Sequence, residues 1–139
     1  MKTSSNIAAV ERLQQCSIKP SLQRIAIMNY MMKHYTHPNI DEVFNALYPV
    51  IPTLSKTTVY STLKLFAQQG AVTEINIDEK NVRYDGDTLP HAHFKCKHCG
   101  TVYDLPLKPA QTDFAKRRNG FVIDEQQIYY KGYCKKCQG

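Results

Sequence analysis

The sequence has no apolar run that approaches the roughly 18 residues needed to span a membrane. The segment Met1–Ile7 also lacks the apolar core of a signal peptide. No internal repeat or low-complexity tract is present, and no nucleophile–base pair indicates an enzyme. These absences predict a cytoplasmic protein that does not contact a membrane, in which paired cysteines indicate metal ligands or redox thiols before disulfides.

The charge of the chain is unbalanced. Its 139 residues are enough for one ordinary domain or two small ones, and its formal net charge is +6. Between residues 1 and 73, seven lysines and arginines stand against three carboxylates, an excess of four positive charges. This excess fits a nucleic-acid partner, but an ordinary solvated surface has the same pattern, and charge alone does not separate the two.

Four helices are predicted in the first half of the chain. Their expected extents are Ile7–Gln15, Pro20 to about Tyr35, Asn39 to about Pro49, and Ser55–Gln69. The second helix has an apolar stripe expected to face the core, formed by Leu22, Ile25, Met28 and Met32.

The fourth helix has the clearest boundaries. Ser55 is a good N-cap and Gly70 ends the helix, while Val59, Leu63 and Phe66 recur on one face that we expect to be buried. Two strand-like segments follow, at residues 72–77 and 81–84. Three well-marked helices followed by a β-hairpin are typical of a winged helix, although a small helical domain with an incidental hairpin would give the same pattern.

The composition changes at residues 85–90, where Asp, Gly, Thr and Pro indicate a hinge. Beyond the hinge, strands are predicted at Ala92–Cys96, Thr101–Leu105 and Gln127–Tyr133, and a helix at Pro109–Asn119 that ends at Gly120. The predicted fold class is therefore α+β. It consists of a winged-helix domain (residues 1–84), a hinge (85–90) and a small α/β domain (91–139).

Two C-x-x-C pairs stand at opposite ends of the second half, Cys96 with Cys99 and Cys134 with Cys137. Four thiolates complete a tetrahedral Zn²⁺ shell and leave no open position for chemistry, so the pattern predicts structural zinc. A redox dithiol and a pair of disulfides are the alternatives. The fifth cysteine, Cys16, is expected to be a small buried apolar residue.

A second group of possible ligands lies around the hinge: Asp85, His91, His93 and Asp104. His91 and His93 are two residues apart on a predicted strand, so their side chains lie on the same face. Imidazoles combined with carboxylates suit Fe²⁺, Mn²⁺ or Zn²⁺. The alternative is a set of unrelated surface groups.

Several segments together resemble the ferric uptake regulator family. They are the histidine-rich segment His91–Gly100, the recognition-helix-like segment Thr57–Leu63, Ser21–Arg24 at a helix start, Arg83–Asp85, and Gly132–Cys137 before the end of the chain. Leu22 stands where the family usually has proline. The resemblance extends from about Ile18 to Cys137.

This resemblance implies a repressor that binds palindromic double-stranded DNA as a homodimer, with an N-terminal winged helix and a C-terminal dimerisation domain. It also implies structural Zn²⁺ at the four cysteines and a regulatory Fe²⁺ or Mn²⁺. The implied ligands of the regulatory metal are His37, Asp85, His91, His93 and Asp104. His34 and His98 are expected to remain outside the two metal sites.

The identity of residue 104 points to one branch of the family. Iron-responsive relatives usually carry glutamate there, whereas peroxide sensors carry aspartate, as this chain does at Asp104. For that branch the resemblance implies that peroxide reacts at bound Fe²⁺ and oxidises His37 or His91, which releases the metal and the DNA. An iron- or zinc-responsive uptake regulator is the alternative within the family, and a C-x-x-C thiol oxidoreductase is the alternative outside it.

Residues at the start of the fourth helix are the candidates for DNA contact. The expected DNA contacts at the N-terminal end of this helix are Lys56, Thr57, Thr58, Tyr60 and Ser61. The expected phosphate contacts are Lys19, Arg24 and Lys64. For each of these side chains the alternative is ordinary solvation.

Overall fold

The computed structural model describes residues 4–78, 81–89, 91–108 and 117–138, with the side chains of residues 4 and 5 excepted. The chain forms two compact units, unit 1 (Met1–Thr88) and unit 2 (Leu89–Gly139). Helices dominate unit 1 and short strands dominate unit 2, so the fold class is α+β, as predicted. The assignment of DNA binding to one unit and dimerisation to the other remains a prediction.

Unit 1 contains four helices and a two-stranded hairpin. The elements are α1 (Ser4–Gln15), α2 (Leu22–Lys33), α3 (Ile40–Leu47), α4 (Lys56–Gln68), β1 (Thr73–Ile75) and β2 (Arg83–Asp85). The strands are antiparallel, with Glu74 opposite Tyr84. Helices followed by a hairpin form the winged-helix arrangement that the sequence predicts.

Side-chain caps fix the start of three helices. The side chains of Ser21, Asn39 and Ser55 accept hydrogen bonds from the backbone amides of Arg24, Glu42 and Thr58, respectively. At α3 the Glu42 side chain also accepts from the Asn39 amide, which completes a capping box. The second helix thus begins after Ser21, and not at Pro20 as the sequence predicted, because serine can accept that hydrogen bond and proline cannot.

The core of unit 1 is formed by the inward faces of all four helices and of the hairpin. Val59, Leu63 and Phe66 on α4 are fully buried, as predicted. On α2 the predicted stripe is partly wrong, because Leu22 is 87% exposed. The fully buried residues of α2 are Ile27, Met28 and Met31. Leu22 occupies the first helical position, where its side chain lies beyond the edge of the core.

Unit 2 is built on a three-stranded sheet. Its strands are β3 (Ala92–Cys96), β4 (Val102–Leu105) and β7 (Tyr129–Gly132). Their order is β4-β3-β7, with β3 antiparallel to β4 and parallel to β7. All three strands lie within the predicted ranges.

A separate hairpin, β5 (Arg117–Arg118) with β6 (Phe121–Val122), replaces the C-terminal end of the helix predicted at residues 109–119. Residues 109–116 lie outside the described part of the chain, but the predicted C-terminal end of that helix is a strand. Asn119 and Gly120 form the two-residue turn with φ of 52° and 85°. Asn-Gly is the usual sequence of a turn with positive φ at both positions, and this signal was available in the sequence.

The two units differ in how much apolar surface they bury. In the described part of unit 2, the buried apolar side chains are Ala92, Cys96, Val102 and Cys134. Two of these four are cysteines of the predicted zinc site.

Among the described residues, no helix is long and apolar enough to cross a membrane.

Candidate metal centres and nucleic-acid interface

The four paired cysteines of unit 2 converge on one point. The Sγ atoms of Cys96, Cys99, Cys134 and Cys137 all lie within 4.8 Å of one another. The parallel pairing of β3 with β7 places Cys96 beside Gly132, two residues before Cys134. The first pair is held by a tight turn in which the Gly100 amide donates to the Cys96 carbonyl at 2.9 Å and Gly100 has a φ of 76°. The second pair spans a short 3₁₀ turn, Lys135–Cys137.

Hydrogen bonds to sulfur favour thiolates in this cluster. The backbone amides of Cys99 and Cys134 both donate to the Cys96 Sγ atom at 3.5 Å. These bonds lower the pKa of Cys96 from 9.0 to about 5. The pKa of Cys134 is also lowered, chiefly because the Tyr103 hydroxyl donates to its sulfur. These hydrogen bonds therefore favour the negatively charged thiolate forms of Cys96 and Cys134.

The donor set and its spacing fit Zn²⁺. Zn–S bonds of about 2.3 Å in a tetrahedron place neighbouring sulfurs about 3.8 Å apart, and the Cys99 and Cys134 sulfurs are 3.8 Å apart. A hydrogen bond from Cys137 to the Cys134 sulfur raises the pKa of Cys137 to about 12. A divalent cation at the centre would replace that shared proton. The residues present would hold Zn²⁺ in a closed, structural site.

In unit 1, His37 and Asp85 form a buried pair. The His37 Nε2 atom lies 3.5 Å from an Asp85 carboxylate oxygen, and their side chains are 3% and 0% exposed. The backbone of His37 has a φ of 59°, an uncommon value for a residue with a side chain. Arg83 donates to the His37 carbonyl at 3.0 Å, and the Tyr84 amide donates to the Pro38 carbonyl at 2.9 Å. Strand β2 thus fixes both members of the pair.

In unit 2, two histidines share one carboxylate. The Nε2 atoms of His91 and His93 lie 3.2 and 3.5 Å from the same Asp104 oxygen. His93 pairs directly with Asp104 in the β3–β4 register, and the imidazole rings of His91 and His93 are 4.5 Å apart. The His91 Nδ1 atom contacts the Leu89 carbonyl at 2.6 Å, which favours a proton on Nδ1 and leaves Nε2 available as a ligand.

These His and Asp groups have nitrogen and oxygen donors, which suit Fe²⁺, Mn²⁺ or Zn²⁺. Two of the five predicted ligands are held in unit 1 and three in unit 2. His34 caps the end of α2, where its Nδ1 atom lies 3.0 Å from the Tyr30 carbonyl and its ring stacks on Tyr30. His98 is exposed in the turn between the first two cysteines.

The start of α4 presents most of the predicted DNA contacts to solvent. Lys56, Thr57, Tyr60 and Ser61 are exposed, whereas Thr58 is half-buried and accepts a hydrogen bond from the capping Ser55 hydroxyl. This face is polar and reachable, as a recognition helix requires.

Two lysines of this surface already have ion-pair partners. The Lys56 Nζ atom lies 3.2 Å from Asp41, and the Lys64 Nζ atom lies 3.7 Å from Glu74. All four side chains are at least partly exposed, so each pair contributes little to stability. A DNA phosphate would therefore compete with a carboxylate for each lysine.

The remaining candidates lie near the start of α2. Lys19 is exposed, and Arg24 is half-buried with its guanidinium donating to the Lys19 carbonyl at 2.9 Å. Cys16 packs against the core of unit 1 but is only partly buried, so it is less buried than the sequence predicted.

Sequence reasoning missed two residues that hold the candidate ligands. Tyr103 contacts the Cys134 sulfur, and the Leu89 carbonyl orients His91. No sequence motif marks either residue, because both contacts depend on how the strands and the preceding segment are placed.

Comparison with known proteins gives a consistent result. The model of the family described as "Ferric uptake regulator family" matches residues 15–131. The peroxide-responsive repressor PerR of Staphylococcus aureus (strain Mu50 / ATCC 700699) is 32% identical over 132 residues, covering 94% of this chain and 89% of the relative.

Solved structures share the fold. The ferric uptake regulator Fur of Helicobacter pylori has a TM-score of 0.74 at 19% identity, covering 100% of this chain and 95% of that one. PerR of Streptococcus pyogenes has a TM-score of 0.52 at 27% identity, covering 96% and 93%. The family match spans most of the chain and includes the first two of the four clustered cysteines, Cys96 and Cys99. The chain belongs to the ferric uptake regulator family.

Proposed function

We propose that the protein is a metal-dependent transcriptional repressor that peroxide inactivates. The observation that carries the proposal is the placement of nitrogen and oxygen donors: the buried His37–Asp85 pair in unit 1, and His91, His93 and Asp104 in unit 2. One Fe²⁺ or Mn²⁺ ion bound by all five residues would hold the two units in one arrangement. Membership of a family that contains metal-responsive regulators supports this assignment.

The regulatory step is a coupling between metal binding and DNA binding. A ligand favours one arrangement of two units by its difference in affinity for the alternatives, and such couplings are typically about 1–3 kcal/mol. His37 lies just before α3, and Asp85 is the last residue of β2. Both residues are in the unit that carries α4, so a metal bound to them would act on that unit. Binding of the metal would then set the position of the recognition helix.

DNA binding is proposed for the exposed face of α4 in a homodimer. Two copies of α4 about 34 Å apart would fit successive turns of the major groove in a palindromic operator. The proposed DNA contacts at the start of α4 are Lys56, Thr57, Thr58, Tyr60 and Ser61, and the further proposed phosphate contacts are Lys19, Arg24 and Lys64. Their exposed or half-exposed positions support this role.

Peroxide sensing is proposed because the similar S. aureus protein is a peroxide-responsive repressor and because residue 104 is aspartate. Bound Fe²⁺ would supply the reactivity towards peroxide. In the net reaction one oxygen atom of peroxide would be added to an imidazole carbon, the other would leave as water, and the imidazole would lose two electrons. Oxidation of His37 or His91 would weaken a ligand and release the ion.

The test is peptide mass analysis of Fe²⁺-loaded protein after brief exposure to peroxide. We expect one added oxygen atom on His37 or His91, with none when Mn²⁺ replaces Fe²⁺. His34 and His98 are internal controls, because His34 is only three residues from His37 and His98 lies between two zinc cysteines. Equal oxidation of all the histidines, or oxidation with Mn²⁺, would contradict the proposal.

A regulator of metal supply is the second candidate, and the nitrogen and oxygen donor set would serve it equally well. Unmodified histidines after peroxide treatment, with DNA binding that follows metal concentration, would select this function. Thiol turnover at the cysteines would instead favour an oxidoreductase. Stoichiometric, tightly held zinc without turnover would exclude it.

A further inference from the structure

Arg12, on the last turn of α1, joins three segments of unit 1. Its guanidinium Nη1 atom donates to the Ala71 carbonyl at 3.0 Å and to the Gly86 carbonyl at 2.9 Å. Ala71 precedes β1 and Gly86 follows β2, so one nitrogen closes the base of the hairpin. The residue immediately before Gly86 is Asp85, a proposed ligand of the regulatory metal. Arg12 is therefore one peptide unit away from the metal site.

The backbone at Gly86 has no room to move towards α2. A Cβ atom at this position would lie 2.2 Å from the Met31 carbonyl oxygen, so only glycine fits. Gly86 is buried, and the carboxylate of the neighbouring Asp85 accepts a hydrogen bond from the Asp87 amide at 2.9 Å. The peptide after Asp85 is thus enclosed by the α2 backbone and held by Arg12 from α1.

Helix α1 itself is fixed in the core. Ala9 and Leu13 on α1 are fully buried, which places Arg12 beside an anchored face of the helix. A planar guanidinium can donate to two carbonyls from one nitrogen in a fixed geometry, whereas an ammonium on a flexible stem cannot hold both equally well. The link between α1 and residue 86 is consequently rigid.

We propose that Arg12 is a positioning residue for the regulatory metal, and that α1 belongs to the metal-sensing apparatus. This inference rests on the proposed function, because it requires Asp85 to be a metal ligand. Arg12 holds the peptide that follows Asp85 and so holds the carboxylate in place for the ion. Coupling is reciprocal, so an ion bound at Asp85 must also stabilise the contact of Arg12 with Gly86 and the last turn of α1.

The first experiment is Mn²⁺ titration of the full, zinc-loaded chain by calorimetry. Arg12→Met removes the donors but keeps the apolar stem, and we expect it to weaken Mn²⁺ binding about 5- to 10-fold. Arg12→Lys should fall between Arg12→Met and the original protein, because one carbonyl can still be contacted. Arg118→Met is the control, because it removes an exposed guanidinium on β5, away from the proposed metal ligands and DNA contacts, and should leave Mn²⁺ affinity unchanged.

Amide hydrogen exchange separates positioning from a merely structural role. Saturating Mn²⁺ should slow exchange in the last turn of α1 in the original protein, and this effect should be lost in Arg12→Met. If Asp85→Asn abolishes Mn²⁺ binding while Arg12→Met binds Mn²⁺ normally, the role of Arg12 is overturned and the proposed metal site stands. If Asp85→Asn leaves Mn²⁺ binding intact, both proposals are overturned.

Discussion

The cysteine cluster and the His/Asp groups contrast in where their members lie. All four cysteines belong to unit 2, and hydrogen bonds from neighbouring amides already stabilise thiolate at Cys96. The proposed His/Asp ligands are divided, with His37 and Asp85 in unit 1 and the other three in unit 2. A metal held within one unit stabilises that unit directly. A metal with ligands from both units would also favour one arrangement of the units over others.

The contrast extends to chemistry. Four thiolates saturate a tetrahedral ion and exclude further ligands, whereas nitrogen and oxygen donors bind more weakly and exchange more readily. We therefore propose that the cysteine group stabilises unit 2 and that the His/Asp group serves regulation.

The largest expected effect follows removal of zinc. The buried apolar side chains in the described part of unit 2 are few, and two of them are Cys96 and Cys134. Because metal binding in such small domains is folding free energy, of the order of 10 kcal/mol for zinc-finger peptides, Cys96→Ser should unfold unit 2. Circular dichroism and calorimetry should show loss of its transition. Cys16→Ser is the control and should retain zinc; an intact unit 2 in Cys96→Ser would contradict the structural assignment.

The second effect is confined to the regulatory metal. Asp104→Asn replaces a carboxylate that contacts both His91 and His93, so we expect Mn²⁺ affinity to fall on the order of 100-fold. Zinc content and the thermal transition should not change, since the side chain is partly exposed and lies outside the cysteine cluster. Asp124→Asn, an exposed acid of the same unit, should leave Mn²⁺ binding as it was. Loss of zinc together with Mn²⁺ would show that the two centres are not separate.

The smallest effect concerns the partner of a thiolate. Tyr103→Phe removes the hydroxyl that lowers the pKa of Cys134, so this pKa should rise and zinc should leave about 10-fold faster to a chelator. Tyr133→Phe, next to Cys134 in the sequence, is the control and should release zinc at the original rate. Equal release rates in both variants would mean that the Tyr103 hydroxyl has no influence on the bound metal.

The pH dependence of the cluster has a definite sign. The folded pKa of Cys96 is depressed from 9.0 to about 5, so its contribution to stability is fully present above pH 9 and is lost as pH falls through about 5. Zinc release measured against pH should therefore be promoted by acid, and Tyr103→Phe should shift the release towards higher pH. Release that became faster as pH rose would contradict the role of the thiolates.

The sequence allowed much of the local structure to be predicted. Ser55 and Gly70 bracket α4 correctly, and the spacing of Cys96, Cys99, Cys134 and Cys137 indicated their convergence because each pair is short enough to bind one ion. The His91-x-His93 spacing likewise predicted that both side chains lie on one face, and both rings contact the Asp104 carboxylate. Local chemistry determined these features, so short sequence segments were sufficient.

The errors arose where the outcome depends on distant contacts or on a competing local signal. Leu22 fits an apolar stripe but is exposed, since helical periodicity does not show where a core ends. Residues 117–122 form a hairpin because the Asn119–Gly120 turn outweighs the helical pattern before it. The contacts of Arg12 with Ala71 and Gly86 join residues 59 and 74 positions apart, and no sequence pattern indicates them.

The carboxylates beside Lys56 and Lys64 have a consequence for how salt would affect the proposed DNA binding. A lysine that meets phosphate ordinarily contributes to the release of counterions condensed on DNA, and this release makes affinity fall steeply with salt. Asp41 and Glu74 are negative charges covalently attached to the protein, so they would not diffuse away if phosphates replaced them as partners of the two lysines. Their charges would remain near the DNA and offset the charges of the lysines. The slope of log affinity against log salt should therefore be shallower, by about two units, than the number of basic contacts alone would give.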